Sequence, residues 1–244
     1  MKKLMLLFIL VFSFQGCAEL QQLASQIPAE GLTDADIARG LKTALEQGID
    51  KEVSTLMKEG GFYNQKDVRI LFPPELRTVE QRLRDLGFNS LVDQAEMKLN
   101  RAAEEAVKEA KPIFVQAIRE MTFDDARKIL MGDQKAATEY LKRKTENQLY
   151  QKFYPIVREN FSKVGADKIW SDLISRYNSL PLVQPVNTDL NDYVTREALK
   201  GVYKKIADEE VKIRTDISER TNDLLRRVFA LQDQRKNNSN QPQQ

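Results

Sequence analysis

The chain has 244 residues, of which 41% are hydrophobic and 30% are charged, so it is long enough to bury a sizeable core. Its 38 basic and 36 acidic residues nearly balance, whereas a nucleic-acid-binding protein needs a basic excess to neutralise phosphates. It contains no histidine and one cysteine, which excludes Ser-His-Asp and Cys-His catalysis, zinc sites built from histidine and cysteine, and disulfides within the chain.

The first 17 residues resemble a bacterial lipoprotein export signal. A basic start is followed by an apolar run over residues 4–14 that is too short to cross a bilayer core, and Gly16 directly precedes Cys17. Phe14 stands where such signals usually carry leucine. The alternatives are an ordinary cleaved signal with an incidental cysteine, or a free thiol in a cytoplasmic protein. The resemblance implies a diacylglycerol thioether on Cys17 and an amide-linked acyl chain such as palmitate.

Removal of residues 1–16 would leave equal numbers of basic and acidic residues, because this signal peptide contains two lysines and no acid. Residues 17–31 lack a strong periodicity, which predicts a tether. In the sorting rule that the resemblance brings with it, an aspartate after the lipidated cysteine favours the inner membrane, whereas this chain has Ala18. We therefore expect a lipid anchor on the periplasmic face of the outer membrane.

The apolar spacing of the remaining chain predicts an all-α, irregular multi-helix bundle over residues 32–234, with at most one short extended segment. Thr33 is expected to cap the first helix, and Gly48 to kink or break it. Residues 68–72 form the predicted extended segment, which two prolines end. Gly87 has the position of a C-terminal helix cap.

The next predicted helix is long and rich in alanine. Its inner face is expected to run from Leu91 to Ala110, where small side chains allow another helix to approach closely. Pro112 is expected to kink or restart this helix. Thr122 and Asp125 have capping-box spacing at the start of a short helix.

The last third of the chain is also predicted to be helical. A helix that contains Trp170 precedes a loop with two prolines at residues 180–188. Residues 235–244 have no apolar anchor and are predicted to be disordered. Three further helices are expected to begin at Asp133, behind the cap Asp189, and near Ile217 behind a capping box that starts at Asp216.

Four polar residues of the alanine-rich helix are candidates for a site: Asn100, Arg101, Glu104 and Glu105. Residues four apart share a helix face, which pairs Asn100 with Glu104 and Arg101 with Glu105. The structural interpretation is surface ion pairing or a buried polar network that fixes helix register. The functional interpretation is a carboxylate general acid in a helical cleft, as in peptidoglycan-cleaving enzymes.

Two further polar features have both a functional and a structural interpretation. Asp124 and Asp125 would bind a divalent cation or complement the dipole of the helix that they start. Arg220 presents a planar donor fork for a phosphate or carboxylate ligand, or for a helix end or acidic partner within the fold. No glycine-rich phosphate-binding motif is present, and we predict neither a metal site nor a cofactor.

Five segments of the chain look like successive blocks of the bacterial domain of unknown function 4197 family. They are GLKTALEQGIDKEV, MKLNRAAEEAVKEAKPIFVQAI, MTFDDARKIL with the following AATEYLKRKT, DLNDYVTREALKGVY, and IADEEVKIR with RTNDLLRRVF. The resemblance covers residues 40–229. It implies a mostly helical exported domain, often behind a signal or lipoprotein sequence, with no established activity and no catalytic residue to carry over.

The sequence therefore favours a lipid-anchored protein of the cell envelope that acts by interaction or as a structural component rather than as an enzyme. Two alternatives stay open, namely a carrier or sensor for a hydrophobic or anionic ligand, and a carboxylate-based cell-wall hydrolase. The expected partners are the membrane, through the N-terminal lipid, and an envelope protein or small ligand. Nucleic acid is not expected as a partner, because the mature chain is formally neutral.

Overall fold

The computed structural model describes residues 31–163, 175 and 189–239, and eight α-helices lie within these ranges. They are α1 (Asp34–Leu56), α2 (Arg77–Asp85), α3 (Asn89–Val107), α4 (Ala110–Arg119), α5 (Phe123–Leu130), α6 (Ala136–Ser162), α7 (Leu190–Thr215) and α8 (Asp223–Ser239). Short 3₁₀ turns at Pro74–Leu76 and Ile217–Glu219 precede α2 and α8, and the described residues contain no strand. The predicted all-α fold is confirmed.

Several predictions concern residues outside these ranges. They are the signal peptide, the lipidation of Cys17, the tether before residue 31, the helix that contains Trp170, the loop at 180–188 and the last residues of the tail, 240–244. Near the other end, α8 continues to Ser239, past residue 235, where the sequence predicts that order ends.

Helices begin where the sequence predicts them when the cap is local. Thr33 Oγ1 accepts the backbone N–H of Asp36 at 3.2 Å, and a carboxylate oxygen of Asp36 accepts the Thr33 N–H at 3.1 Å. Thr122 and Asp125 form the same reciprocal pair at α5. Asp189 Oδ1 accepts two N–H groups from the first turn of α7, at 2.9 and 3.1 Å. These caps satisfy N–H groups that a helix start leaves unpaired, and the three predictions are confirmed.

Two predicted helix breaks also agree with the structure. Gly87 follows the end of α2 with a φ of 88°, a left-handed conformation that glycine adopts readily. The α-helical hydrogen-bond pattern is interrupted between α3 and α4, where the N–H groups of Lys108 and Glu109 bond three residues back, and α4 begins at Ala110, two residues before Pro112. Pro112 therefore lies in the first turn of α4, where its missing N–H removes no helical hydrogen bond.

The predicted break at Gly48 is wrong, because α1 continues through it to Leu56. A Cβ built on Gly48 would lie 3.5 Å from the Cγ of Glu209, so α7 packs against this part of α1. Ile49 and Val53 beside it are each 1% exposed. Burial of such side chains outweighs the roughly 1 kcal/mol that glycine costs inside a helix.

Helix α6 begins at Ala136 rather than at the predicted Asp133. The reason is a cap from a distant part of the chain: Glu210 of α7 accepts the backbone N–H groups of Ala137 at 2.9 Å and Thr138 at 2.8 Å. A side chain more than 70 positions away thus replaces the local cap that the sequence pattern suggests.

Helix α8 likewise starts later than predicted. Asp216 caps only the 3₁₀ turn, and the α-helix begins where Asn222 Oδ1 accepts the N–H of Leu225 at 2.9 Å. Between the two caps, Arg220 is 3% exposed and donates to the carbonyl oxygen of Ile213 at the end of α7 at 3.1 Å. The buried Arg220, which bonds to α7, lies between the short 3₁₀ turn and the α-helix.

Two other expectations are corrected by burial and hydrogen bonding. Residues 69–72 have no regular secondary structure, so the predicted extended segment is not a strand. The spacing of apolar residues predicts Leu91 on the inner face of α3, but Leu91 is 59% exposed, and the buried face begins at Val92.

The described residues form two compact units. Of the described residues, unit 1 contains 31–44, 122–134 and 211–239, and unit 2 contains 45–121 and those that lie within 135–210. No helix in the described ranges has the length and apolarity that a membrane span requires. The cores contain large apolar side chains at most 1% exposed: Leu130, Leu225 and Val228 in unit 1, and Phe62, Phe114, Leu141 and Phe153 in unit 2.

Candidate functional site

A polar stripe runs along the buried face of α3 in unit 2. Its members Glu96, Asn100 and Glu104 are four positions apart, so they lie one above another, and they are 3%, 0% and 1% exposed. Residues 57–73, which join α1 to the first 3₁₀ turn, bond to all three side chains. The stripe therefore orders a segment that has neither helix nor strand.

Asn100 acts on Ile70 as a neighbouring β-strand would. Its Oδ1 accepts the Ile70 N–H at 2.7 Å, and its Nδ2 donates to the Ile70 carbonyl oxygen at 2.8 Å. The second Nδ2 hydrogen goes to the carbonyl oxygen of Glu96, also at 2.8 Å. Both amide hydrogens and one oxygen lone pair are thus used at a side chain without solvent contact. This is the type of buried network that the structural interpretation of the sequence describes.

Glu104 uses both carboxylate oxygens within the fold. Oε1 accepts the backbone N–H of Phe62 at 3.1 Å, and Oε2 accepts from Nη1 of Arg101 at 3.3 Å. Phe62 is 0% exposed, so its N–H depends on the carboxylate for a partner. A general acid must deliver a proton to a substrate, whereas here both oxygens accept hydrogen bonds from the protein.

Glu96 is the member of the polar stripe that sequence analysis missed. Its Oε2 accepts from Nη2 of Arg69 at 2.7 Å, and the Arg69 guanidinium lies 3.9 Å from the ring centroid of Tyr63. The available signal was spacing, because the four-residue step from Glu104 to Asn100 extends back to Glu96. The spacing could not predict that Arg69, in the segment 57–73, is the partner of Glu96.

Arg101 and Glu105 lie at the edge of the buried stripe, towards solvent. The Arg101 side chain is 44% exposed and bridges two carboxylates, with Nη2 lying 3.1 Å from Oε1 of Glu105. A hydrogen bond from Lys108 lowers the pKa of Glu105; Arg101 also lowers it, whereas burial opposes both. Glu105 is thus an ionised surface partner rather than a carboxyl group held protonated.

A groove of about 500 Å³ lies beside this cluster in unit 2. Two of the four candidates on α3, Arg101 and Glu104, line it together with Tyr63 from the segment 57–73. Because Glu104 is only 1% exposed, a ligand in this groove would contact Arg101 and Tyr63 more than the carboxylate. Asn100 and Glu105 are not among the residues that line the groove.

Arg220 belongs to unit 1, whereas the other four candidates belong to unit 2. Its Nη1 and Nη2 donate to the two carboxylate oxygens of Asp233 at 2.6 and 3.2 Å, and its Nε donates to the carbonyl oxygen of Ile213. A carboxylate and a helix end thus occupy the donor fork, as the structural interpretation of Arg220 predicts.

Two further buried carboxylates lie in α7, within a mixed charged run whose sequence predicts a solvated face. Glu209 and Glu210 are 4% and 7% exposed. Lys51 donates to Glu209 at 2.6 Å, and Thr138 adds a hydroxyl bond at 2.8 Å to the two backbone bonds of Glu210. Successive helical residues point about 100° apart, so a charged run such as this one can contain buried members that composition alone does not identify.

The adjacent acids at the start of α5 serve that helix. Asp125 completes the capping box, and Asp124 is exposed and accepts from Lys128 at 2.5 Å. In the part of the chain that the structure describes, no three acidic, histidine or cysteine side chains are grouped so that they could hold a metal ion.

A second groove, of about 1000 Å³, lies in unit 2 between α6 and α7. The helices are antiparallel here, since Thr138 bonds to Glu210 while Tyr150, further along α6, bonds to Asp192 near the start of α7. Leu199 contributes apolar surface to its wall. Its charged lining residues are the basic Lys135, Lys142, Arg196, Lys200 and Lys204, and the acidic Glu139, Glu146 and Asp208.

The tyrosines of this groove are hydrogen-bond donors rather than bases. Burial, with the 2.5 Å bond from the Tyr150 hydroxyl to Asp192, raises the pKa of Tyr150 to about 12. Burial also raises the pKa of Tyr203, and its hydroxyl is 2.8 Å from Thr145 Oγ1. Both phenols are therefore protonated at neutral pH and cannot remove a proton from a ligand.

A family model for a protein of unknown function, DUF4197, matches residues 31–230. No curated protein and no solved structure matches the chain. The matched range contains the polar stripe of α3, Arg220 and both grooves. The chain therefore belongs to the DUF4197 family of proteins of unknown function.

Proposed function

We propose that this protein is lipid-anchored at the periplasmic face of the outer membrane and acts as a non-enzymatic interaction or structural protein of the cell envelope. The anchor is supported by the sequence, in which Cys17 follows a basic start, a short apolar run and Gly16. Ala18 after the cysteine supports the outer membrane as its destination. The non-enzymatic role is supported by the way in which the fold uses its acidic residues.

The buried carboxylates carry the proposal. Because the chain has no histidine, carboxylates are its main candidates for general acid–base catalysis. Carboxylates that accept bonds from the protein on a buried surface hold the fold together and leave little surface for a substrate. Each one accepts from a donor of the fold: Glu96 from Arg69, Glu104 from the Phe62 N–H, Glu209 from Lys51, and Glu210 from the first N–H groups of α6.

Peptidoglycan digestion separates this proposal from the hydrolase alternative. We expect the purified mature protein to release no soluble muropeptides above the buffer level. Glu104→Gln keeps an oxygen acceptor for the Phe62 N–H, so it should lower the free energy of unfolding by only about 1 kcal/mol. Glu105→Gln tests the second candidate acid in the same way. Release by the wild type, stopped in one of these variants that melts normally, would overturn the proposal and identify the acid.

The anchor has its own test. Cys17→Ser should abolish labelling by radioactive fatty acid and leave the protein soluble or unprocessed, because the only thiol in the chain is then missing. Equal membrane retention of wild type and variant, without acyl label on either, would contradict the anchor.

The groove between α6 and α7 favours a second candidate function, that of a carrier or sensor for an anionic ligand. Its lining contains five basic and three acidic side chains, which suits an anionic ligand better than a hydrophobic one. Titration with inorganic pyrophosphate, read as the shift of the melting temperature, tests it. A rise that Lys142→Gln and Lys200→Gln both reduce would support the carrier, and no rise would count against it.

A further inference from the structure

The turn that joins α2 to α3 exposes a cluster of large apolar side chains. Leu86 is 72% exposed, Phe88 52% and Leu91 59%. We call these three residues the apolar tip. All seven residues from 85 to 91 are exposed, and those outside the apolar tip are small or polar. The apolar side chains therefore meet solvent together at one end of a helical hairpin.

The turn has a defined backbone. Gly87, with its φ of 88°, allows the N–H of Phe88 to bond to the carbonyl oxygen of Leu83 at 2.9 Å, which closes the end of α2. Arg84 of α2 donates to Asp93 of α3 at 2.8 Å and ties the two helices together. The hairpin thus presents the apolar tip in a fixed arrangement.

Packing within the fold does not account for this exposure. Among the α2 side chains that the structure describes, none is buried, so α2 adds little to the core. Single exposed apolar residues are ordinary on protein surfaces, but three within six positions at one turn form a patch. Phe123 in unit 1 is also 59% exposed, but no neighbouring residue in the sequence is a large exposed apolar one, so it serves below as the control.

We propose that the apolar tip inserts into the surface of the lipid bilayer to which the chain is anchored. The inference rests on the lipid anchor of the proposed function and adds a second membrane contact. The 14 residues that follow Cys17 up to Gly31, where the described chain begins, reach about 50 Å when fully extended. A domain held within that distance of a bilayer meets the lipid surface at a high effective concentration.

The size of the apolar tip favours lipid over a protein partner. A stable protein interface buries about 800 Å² on each partner and needs complementary shape, which three side chains on one turn do not supply. A lipid surface accepts a small apolar group without matching its shape, and each side chain that enters it adds to the affinity.

Site-specific labelling of the full mature protein, acylated on Cys17 and reconstituted in vesicles of phosphatidylethanolamine and phosphatidylglycerol, tests the inference. Because the lipid occupies the only natural cysteine, Phe88→Cys supplies a single free thiol for an environment-sensitive dye. We expect the dye at position 88 to shift to shorter wavelength and to resist an aqueous quencher. The matched variant Phe123→Cys, equally labelled, should remain accessible to that quencher.

Removal of the rest of the apolar tip should reverse the protection. Leu86→Ser and Leu91→Ser are each expected to lower the ratio of inserted to free tip about fivefold. Each variant removes an exposed leucine side chain whose transfer into lipid adds to the affinity. Equal quenching at positions 88 and 123, or protection that rises with protein concentration as in a dimer, would overturn the inference. If Cys17 carries no acyl group, both the anchor and the insertion of the apolar tip are overturned. If Cys17 is acylated but the dye at position 88 is accessible to the quencher, only the insertion of the apolar tip is overturned.

Discussion

Replacing Asn100 by aspartate keeps the shape of the side chain but removes both of its N–H donors. The Ile70 N–H, now 2.7 Å from Oδ1, keeps an acceptor. The carbonyl oxygen of Ile70, 2.8 Å from Nδ2, loses its donor and faces a carboxylate oxygen, whereas the carbonyl oxygen of Glu96 loses the side-chain bond but keeps its helical bond from the N–H of residue 100. Since Asn100 is 0% exposed, water cannot take over either bond.

The expected loss of stability is large. A buried polar group that loses its partner costs about 1–3 kcal/mol, and more if it is charged, so the orphaned Ile70 carbonyl and the buried carboxylate together cost about 2–6 kcal/mol at neutral pH. A whole domain is stable by only about 5–15 kcal/mol, so Asn100→Asp should remove a substantial part of that free energy of unfolding.

The pH dependence has a defined sign. Burial and the two facing carbonyl oxygens should raise the folded-state pKa of the introduced carboxyl group above the unfolded value of about 3.9. A group with a raised folded pKa contributes stability that is present below the unfolded pKa and lost as the pH rises through the folded pKa. The deficit of Asn100→Asp relative to wild type should therefore shrink on acidification, by about 1.4 kcal/mol for each unit of the shift.

Urea unfolding followed by far-ultraviolet circular dichroism, near pH 7 and near pH 4.5, measures both effects. Asn147→Asp on the exposed surface of α6 is the control and should stay within about 0.5 kcal/mol of wild type at both values. An Asn100→Asp protein with the urea midpoint of the wild type, or with the same deficit at both pH values, would refute this account of the polar stripe.

Three smaller changes test packing and burial in unit 2. Tyr203→Phe loses the bond to Thr145 and should lower the free energy of unfolding by about 1 kcal/mol near neutral pH. Because burial raises the pKa of Tyr203, the wild type loses stability as the pH rises above about 10, whereas the variant does not. Urea melts should therefore show a smaller difference between variant and wild type above that pH. Gly201→Ala would place a Cβ 2.7 Å from a ring carbon of Phe62 and should destabilise by about 1–3 kcal/mol in thermal melts. Gly48→Ala meets its nearest atom at 3.5 Å and should stabilise by about 0.5–1 kcal/mol, so a shift in the same direction for both glycine variants would contradict the packing.

The sequence predicted the features whose physical causes are local. Thr33, Thr122 and Asp189 cap helices because their side chains reach N–H groups two or three residues later, a distance that the sequence itself specifies. Gly87 ends α2 because glycine adopts positive φ at little cost, which also depends on that residue alone.

The predictions that failed depended on contacts between different elements of the fold. Helix α6 begins at Ala136 because Glu210 caps it, and α1 passes through Gly48 because its neighbouring side chains are buried. Arg220 delays α8 by bonding to the end of α7. In each case a tertiary contact outweighed a local preference of about 1 kcal/mol.

The candidate site divides in the same way. Helical periodicity alone placed Asn100 and Glu104 on one face of a helix, since residues four apart are always neighbours there. It could not specify what lies opposite that face. The partners of these side chains, Ile70 and Phe62, are 30 and 42 positions away, and only packing of the chain brings them within hydrogen-bond distance. The sequence thus determined the helices, the local caps of three of them and which side chains share a face. The tertiary structure decided that the polar face of α3 is buried and holds a loop, because burial depends on which segments meet.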